Sequence, residues 1–340
     1  MRWSPKPDPE AGITSILTAE VTKDPLLSSL LAVRGIEDFS SAKAFFRPDL
    51  KHLHDPYRMK DMEAAVERIE HARIKQEHVM IYGDYDVDGT TSVALMSDFL
   101  DGKFPIEAYI PDRYKEGYGL SFDGINLAAE LGITLIIALD CGIKAFDQIA
   151  HARQLGIDII VCDHHRPEQE LPMAKAILNP KRPDCLYPYK ELSGCGVGFK
   201  LCQALCDRWG LPHKHYLYPL LDLCAISIAA DIVHVTGENR ILAHFGMERL
   251  RNGESRPGIA ALLQVAAKNP HELNFRDLGF TIGPRINAAG RMESGLRAVE
   301  LLRSKEGEAQ QELAGRIQQF NTERREVQKT IFEEAKSQLD

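Results

Sequence analysis

The sequence predicts an α/β domain: a parallel sheet flanked by helices, followed by a helical segment and a long connecting helix. Three observations predict it. Between residues 60 and 180, short apolar runs alternate with helical patterns of about 10–15 residues, the rhythm of βαβ units. The apolar runs lack polar alternation, as in strands covered on both faces. Beyond 180 the pattern turns helical, and the tail from about 296 to 340 is charged, with a sparse apolar stripe of Leu301, Leu302, Leu313, Ile317 and Phe320.

Taken in order, residues 1–60 read as a proline-rich arm with short helical pieces in "DPLLSSLLAVRGI" and "SSAKAFFRP". "MKDMEAAVERIEHARIKQ" is a helix with Met62, Val66 and Ile69 on one face. "VMIYG" is a buried strand, "TSVALMSDFL" a helix, "IEAYIP" a strand, and "SFDGINLAAELG" a helix stopped by Gly132. "ITLIIALD" is a strand, "AFDQIAHARQLG" a helix stopped by Gly156, and "DIIVCD" a strand. "LSGCGVGFKLCQALCDRWG" opens on three closely spaced glycines, and "YPLLDLCAISIAADIV" is a helix apolar almost all round. "RDLGFTIGPRINAAGRMES", dense in glycine, reads as a loop.

A chain of 340 residues, 44% hydrophobic and 26% charged, has ample material for a full core. No apolar run approaches the roughly 20 residues that span a bilayer, and "MRWSPKPDPEAGI" has no secretory h-region. Seven cysteines without a C-x-x-C pair fit reduced thiols in a cytoplasm, and Cys202 and Cys206 read as buried apolar residues. The net charge of -8 argues mildly against a nucleic-acid binder, although a carboxylate site that holds metal would account for several negatives.

Three of the strands end in the same chemistry. "VMIY" runs into Asp84, Asp86 and Asp88, "ITLIIAL" into Asp140, and "DIIVC" into Asp163, His164 and His165. Ligands of open parallel sheets bind beyond the carboxyl ends of the strands, so these groups should converge on one rim. Converging carboxylates repel one another unless cations sit among them. Asp and Gly after a strand are ordinary turn residues taken singly, but paired imidazoles there are seldom needed for packing, and the joint occurrence favours a metal site. Carboxylates outnumber histidines and no cysteine joins them, which puts manganese first and magnesium second. Several carboxylates suit two ions about 3.5–4 Å apart bridged by one Asp, an arrangement fitted to phosphoester hydrolysis.

Two other motifs compete for these residues. "DYDVDG" matches the start of an EF-hand loop, but Leu95 stands where its bidentate Glu belongs. "DVDGT" after a strand resembles the nucleophile motif of haloacid-dehalogenase-type phosphatases, with Asp86 as nucleophile and Asp88 as acid/base. That family has no use for the His pair, so it stays a runner-up. No P-loop motif occurs.

"GDYDVDGTTS", "ALDCGI", "CDHHRP" and "AADIVHVTGENR" together resemble the DHH phosphoesterase superfamily. Within it, "PDRYKEGYGLS", "LSGCGVGFKL", "GPRINAAGRM" and "FNTERREVQ" are similar to the RecJ-type branch, bacterial single-strand-specific 5′→3′ DNA exonucleases. The resemblance implies a DHH-type catalytic domain over 61–270, an N-terminal arm over 1–60, and a loop and connecting helix over 271–340 leading to a second, cleft-closing domain. A chain ending at residue 340 is then expected to bind metal but to digest with impaired processivity.

By the same resemblance Asp84, Asp86, Asp88, Asp140, His164 and Asp231 are metal ligands, with Asp140 bridging two ions. His165 faces the scissile phosphate and Asp163 orients its neighbours. Related members often carry a histidine ligand at the position of Tyr82. Single-stranded DNA would meet Arg113, Tyr114, Lys115 and Tyr118, a basic and aromatic stretch, and Arg285 and Arg291 in a glycine-bounded loop. Roles in DNA repair and recombination, a single-strand-binding protein and a helicase as partners, and a cytoplasmic location follow as expectations. A small-nucleotide phosphoesterase (oligonucleotides, cyclic dinucleotides) and a non-enzymatic scaffold are the competing readings.

Overall fold

A computed structural model describes residues 9–305 and 307–338, and the chain divides into two compact units, 1–53 and 54–340. The smaller unit holds α1 (Ala11–Glu20), α2 (Pro25–Ala32) and α3 (Phe39–Phe46) around Leu17, Leu31, Ile36 and Ala42. The helices α2 and α3 match the two expected pieces. Asp24 and Asp38 start them, each accepting backbone N–H groups of the first turn. The regular helix α1 was not expected from the sequence.

In the larger unit α4 (Met62–Lys75) buries Met62, Val66 and Ile69 as its spacing predicts. Then come β1 (Val79–Gly83), α5 (Val87–Leu100), β2 (Ile106–Tyr109), α6 (Phe122–Glu130), β3 (Leu135–Leu139), α7 (Phe146–Gln154), β4 (Asp158–Cys162) and β5 (Ala176–Leu178). Every described pairing is parallel, in the order β2-β1-β3-β4-β5. The three-residue β5, which pairs with β4 alone, escaped the sequence reading. Alternate strand residues face opposite layers. Met80, Tyr82, Ile136, Ala138, Ile159 and Val161 pack with Ile125 and Ala128 of α6 and Ile149 and Ala152 of α7, while α4, α5 and the helix after β5 lie against the sheet. Gly132 and Gly156 follow their helices at φ +68° and +76°, as expected of stops.

The remaining elements are α8 (Gly194–Trp209), the one-turn α9 (His213–Tyr216), α10 (Leu221–Ala230), α11 (Gly237–Arg251), α12 (Pro257–Val265), the one-turn α13 (Phe275–Asp277), α14 (Gly283–Met292), α15 (Gly295–Arg303) and α16 (Glu308–Ser337). One expectation fails here: the stretch read as a loop is helical. A π-helical turn, Leu278–Ile282, joins α13 to α14. Pro284 sits in the first turn of α14, where its missing N–H costs nothing. The glycines are there for close packing: a Cβ on Gly279 would lie 2.6 Å from the Ala229 carbonyl, and one on Gly295 would lie 2.5 Å from Ile110. The tail is also two helices, not one, because the chain breaks between Arg303 and Glu308. All seven cysteines are free and buried, and no described helix is long and apolar enough to cross a membrane.

The topology selects the site. From β1 the chain moves outward to β2, and from β3 it moves the other way through β4 to β5. The crevice therefore opens where the direction reverses, beyond the carboxyl ends of β1 and β3.

Candidate metal centre

Four segments meet at that crevice. After β1 the backbone turns so tightly that a Cβ on Gly89 would lie 2.3 Å from the Asp84 carbonyl oxygen, so only glycine fits. Asp86 caps α5, its carboxylate accepting the N–H groups of Asp88 (2.8 Å) and Gly89 (3.1 Å). The helix thus begins at Val87, four residues before the expected start, and its first turn carries Asp88 inward.

Asp88 is fully buried and is held by the N-terminus of α8. Its oxygens accept N–H groups from Gly194 (2.7 Å) and Cys195 (2.8 Å) and the Ser227 hydroxyl (2.7 Å). Aligned peptide dipoles and unpaired first-turn N–H groups favour an anion at such a place. Asp140 follows β3 with φ +60°, a conformation that Asp tolerates, and its N–H donates to the Cys162 carbonyl (2.8 Å). Asp163, His164 and His165 follow β4, and Asp231 caps the C-terminus of α10.

His164 Nε2 lies 3.1 Å from Asp140 Oδ1, 3.6 Å from Asp231 Oδ2 and 3.8 Å from Asp88 Oδ2. Three groups have ligand atoms within 4.8 Å of one another: Asp84, Asp86 and Asp140; Asp88, His164 and Asp231; Asp140, His164 and His165. Asp140 belongs to two of them, and so does His164. All six sequence-predicted ligands are therefore brought together. Asp163 stands apart from those groups. Its carboxylate accepts from Ile143 N–H (3.0 Å) and His165 N–H (3.0 Å) and contacts His165 Nδ1 (2.7 Å). That bond turns His165 Nε2 toward the Tyr118 hydroxyl, 3.3 Å away.

The electrostatics describe a site lacking positive charge. Both Asp84 oxygens, Asp140 Oδ1, Asp231 Oδ2 and both His164 nitrogens are buried without a hydrogen-bond partner. Buried polar atoms are seldom left so, and these fit a cation's donor set. Burial first, and the Asp86 charge second, push Asp84 up to about 7. Burial, then Asp88 and Asp86, push Asp231 up to about 8. Burial and four neighbouring aspartates hold Asp140 far above the carboxylate range. Asp163 is held low despite its burial by the bond to His165, whose own pKa that same bond raises.

A pH dependence follows. Asp84 and Asp231 bind more protons folded than unfolded from about pH 4 up to about 7 and 8. The sign makes the metal-free protein lose stability as pH rises through that window. Between about pH 6.5 and 8.5 the Tm in chelator is expected to fall, while Mn²⁺ affinity, which competes with those protons, rises. Thermal scans and calorimetric titration check both. A flat metal affinity would contradict the placement of Asp84 and Asp231 among the ligands.

The expected DNA-contact residues separate. Arg113 lies over the Tyr85 ring at 4.0 Å, Tyr85 packs edge-on to Tyr118, and Tyr118 packs edge-on to His165. Burial, then the charges of Arg113 and Arg324, hold the Arg291 guanidinium below its usual value. Tyr114 and Lys115 are exposed, their N–H groups held by Asp112. Arg285 is not in a loop: it lies on α14 and donates to the Thr281 carbonyl (2.6 Å) and Gln318 Oε1 (2.8 Å), tying α14 to α16. Tyr82 points into the α6 layer, donating to the Gly119 carbonyl (2.8 Å), so its position contributes nothing to the centre. Asp86 and Asp88 are both held by helix N-termini and share the crevice with His164, the imidazole for which the dehalogenase-type reading has no use. Sequence reasoning missed Ser193, Gly194 and Ser227, which position Asp88, and Tyr85 and Arg324 in the basic row. The glycine-rich start of α8 was the available signal.

Residues 78–228 match the DHH family, N-terminal domain. That stretch is therefore similar to the catalytic sheet domain of the DHH family. The chain is 42% identical to the single-stranded-DNA-specific exonuclease RecJ of Bacillus subtilis over 337 residues, 98% of this chain and 42% of that protein. It is 39% identical to the Escherichia coli protein of that name, over 96% of this chain and 57% of the relative. It thus spans about half the length of these relatives. Among solved structures, an exonuclease RecJ bound to manganese superposes with TM-score 0.75 at 28% identity, covering 84% of this chain and 71% of the other. RecJ in complex with Mn²⁺ from Thermus thermophilus gives 0.80 at 25%, covering 96% and 46%. These likenesses bear out the α/β sheet and the DHH resemblance.

Proposed function

We propose that this chain is the metal-binding, phosphodiester-cleaving part of a RecJ-type exonuclease that degrades single-stranded DNA from its 5′ end. One observation carries the reading: six ligand-type side chains from four segments converge, and four of them, Asp84, Asp140, His164 and Asp231, bring buried oxygens or nitrogens without a hydrogen-bond partner. The relatives' names and the manganese-bound RecJ structure support the substrate and the cofactor, two Mn²⁺ ions with Mg²⁺ as the alternative. Asp84, Asp86 and Asp140 would hold one cation; Asp88, His164 and Asp231, with Asp140 shared, the other. When bound, the ions activate water near neutral pH and offset charge on the phosphoryl oxygens.

The chain's own groups do the rest. Asp163 fixes His165, whose raised pKa keeps a proton available at Nε2 for a phosphoryl or leaving oxygen. The Tyr118 phenol, whose ionisation is suppressed by burial and by Asp140, can donate beside it. Arg113, Arg291 and Arg324 attract phosphates, and Tyr85 and Tyr118 offer faces to bases. Tyr114 and Lys115 extend that row, whereas Arg285 serves it only through the α14–α16 tie. Cytoplasmic work in repair and recombination, beside a single-strand-binding protein and a helicase that exposes single strands, belongs to the same reading.

The test uses 5′- and 3′-labelled single and double strands with Mn²⁺ or Mg²⁺. Mononucleotides released only from 5′ ends of single strands are expected. Release from 3′ ends, or cleavage of dinucleotides alone, would overturn it. Arg291→Ala is expected to weaken single-strand binding about three- to tenfold and to flatten the salt slope by about 0.7 per lost phosphate contact. Fluorescence anisotropy across a salt series reads both.

A further inference from the structure

Beyond His165, on the α7 side of the metal centre, lies a cavity of about 220 Å³. Leu120 and Ile143, both buried, make its floor, and the half-exposed Tyr118 ring forms a wall. Lys144 and Gln148 reach its rim, and His165 stands at its inner mouth. Gly142 holds the floor close: it takes φ +107°, and a Cβ there would lie 3.1 Å from the Val161 side chain. Among the described residues, neither the Gln148 amide nor the Lys144 ammonium has a hydrogen-bond partner.

We infer that this cavity receives the nucleobase of the terminal residue, the one released on cleavage. The inference rests on the nuclease reading above and adds to it where the departing nucleoside sits. Size comes first. Pockets for whole drug-sized ligands run about 300–1,000 Å³, so this one holds a single ring system rather than a continuing strand. Chemistry comes second: apolar floor, aromatic wall and an amide with both donor and acceptor at the rim suit a flat heterocycle with a polar edge. Placement comes third. The row of Arg113, Tyr85 and Tyr118 ends at His165, and the cavity begins there. A strand laid along that row places its scissile phosphate by His165 and its last base in the cavity. An apolar-floored site with one amide and one ammonium at its edge accepts all four bases, as a sequence-independent digestion requires.

Two measurements test this. In chelator, methyl-resolved NMR titration with thymidine and with deoxyribose is expected to shift Leu120, Ile143 and Ala145 with the nucleoside only. Gln148→Trp, which fills the rim, is expected to abolish those shifts; Gln148→Ala, which cannot clash, is expected to weaken them. With Mn²⁺, a single strand whose 5′-terminal residue is abasic is expected to lose that residue at least tenfold more slowly than one with a base, and Gln148→Trp is expected to bring this ratio near one. Equal rates for the two strands in the wild type, or nucleoside shifts absent from those methyls, overturn the inference while leaving the nuclease reading intact. Shifts as expected without cleavage of any single strand would instead sink the nuclease reading and keep the base site.

Discussion

Asp140→Asn is expected to cut strand hydrolysis at least about 1,000-fold, roughly 4 kcal/mol of transition-state stabilisation, while leaving the metal-free protein as stable as the wild type or more so. Asparagine tolerates φ +60° and keeps the N–H bond to Cys162, so the turn survives. What disappears is the carboxylate common to two of the three ligand groups. In the absence of cations that carboxylate is buried and faces Asp88, Asp86, Asp163 and Asp231, which is why its pKa is driven upward. Neutralising it removes repulsion, so the Tm in chelator should hold or rise. The rise in Tm that Mn²⁺ brings to the wild type should shrink, because ligand stabilisation scales with the logarithm of affinity. A variant that kept wild-type hydrolysis and its Mn²⁺-dependent Tm shift would remove Asp140 from the centre.

Gly194→Ala is expected to lower activity about 100-fold or more without unfolding the protein. Its N–H donates to Asp88, and a Cβ there would lie 2.6 Å from both Asp140 Cβ and Oδ1. Either the start of α8 retreats and releases Asp88, or Asp140 is displaced. Overpacking of this kind costs about 1–3 kcal/mol, partly offset by the helix-propensity gain of up to about 1 kcal/mol. Gly196→Ala serves as comparison, because its Cβ would meet only the Leu192 and Ser193 side chains at 3.3–3.5 Å. Calorimetric Mn²⁺ titration and denaturant unfolding separate the effects. Equal, small losses in both variants would show that α8 does not press on the ligands.

The glycines explain why part of the chain was misread. Gly194 and Gly196 open a helix, and Gly279, Gly283 and Gly290 line helical turns packed against the Ala229–Ala230 and Tyr85 backbone region. By propensity such density signals a loop, and that expectation failed over 275–292. Tertiary packing outweighs roughly 1 kcal/mol of propensity per glycine when neighbouring backbone leaves no room for a Cβ. Arg285 was misplaced for the same reason, and α1 and the short β5 carried too little pattern to register.

Strand identity, parallel pairing and the convergence of Asp84, Asp88, Asp140 and His164 were legible from residue order, because buried parallel strands need unbroken apolar runs and their carboxyl ends share one rim. Folding in three dimensions was needed to decide which atoms face the crevice. It turned Asp163 away to hold His165, sent Tyr82 to the other layer, and put the α8 N–H groups on Asp88. The last two choices depend on contacts between residues 37 and 106 positions apart, and no local periodicity encodes the close approach that makes them.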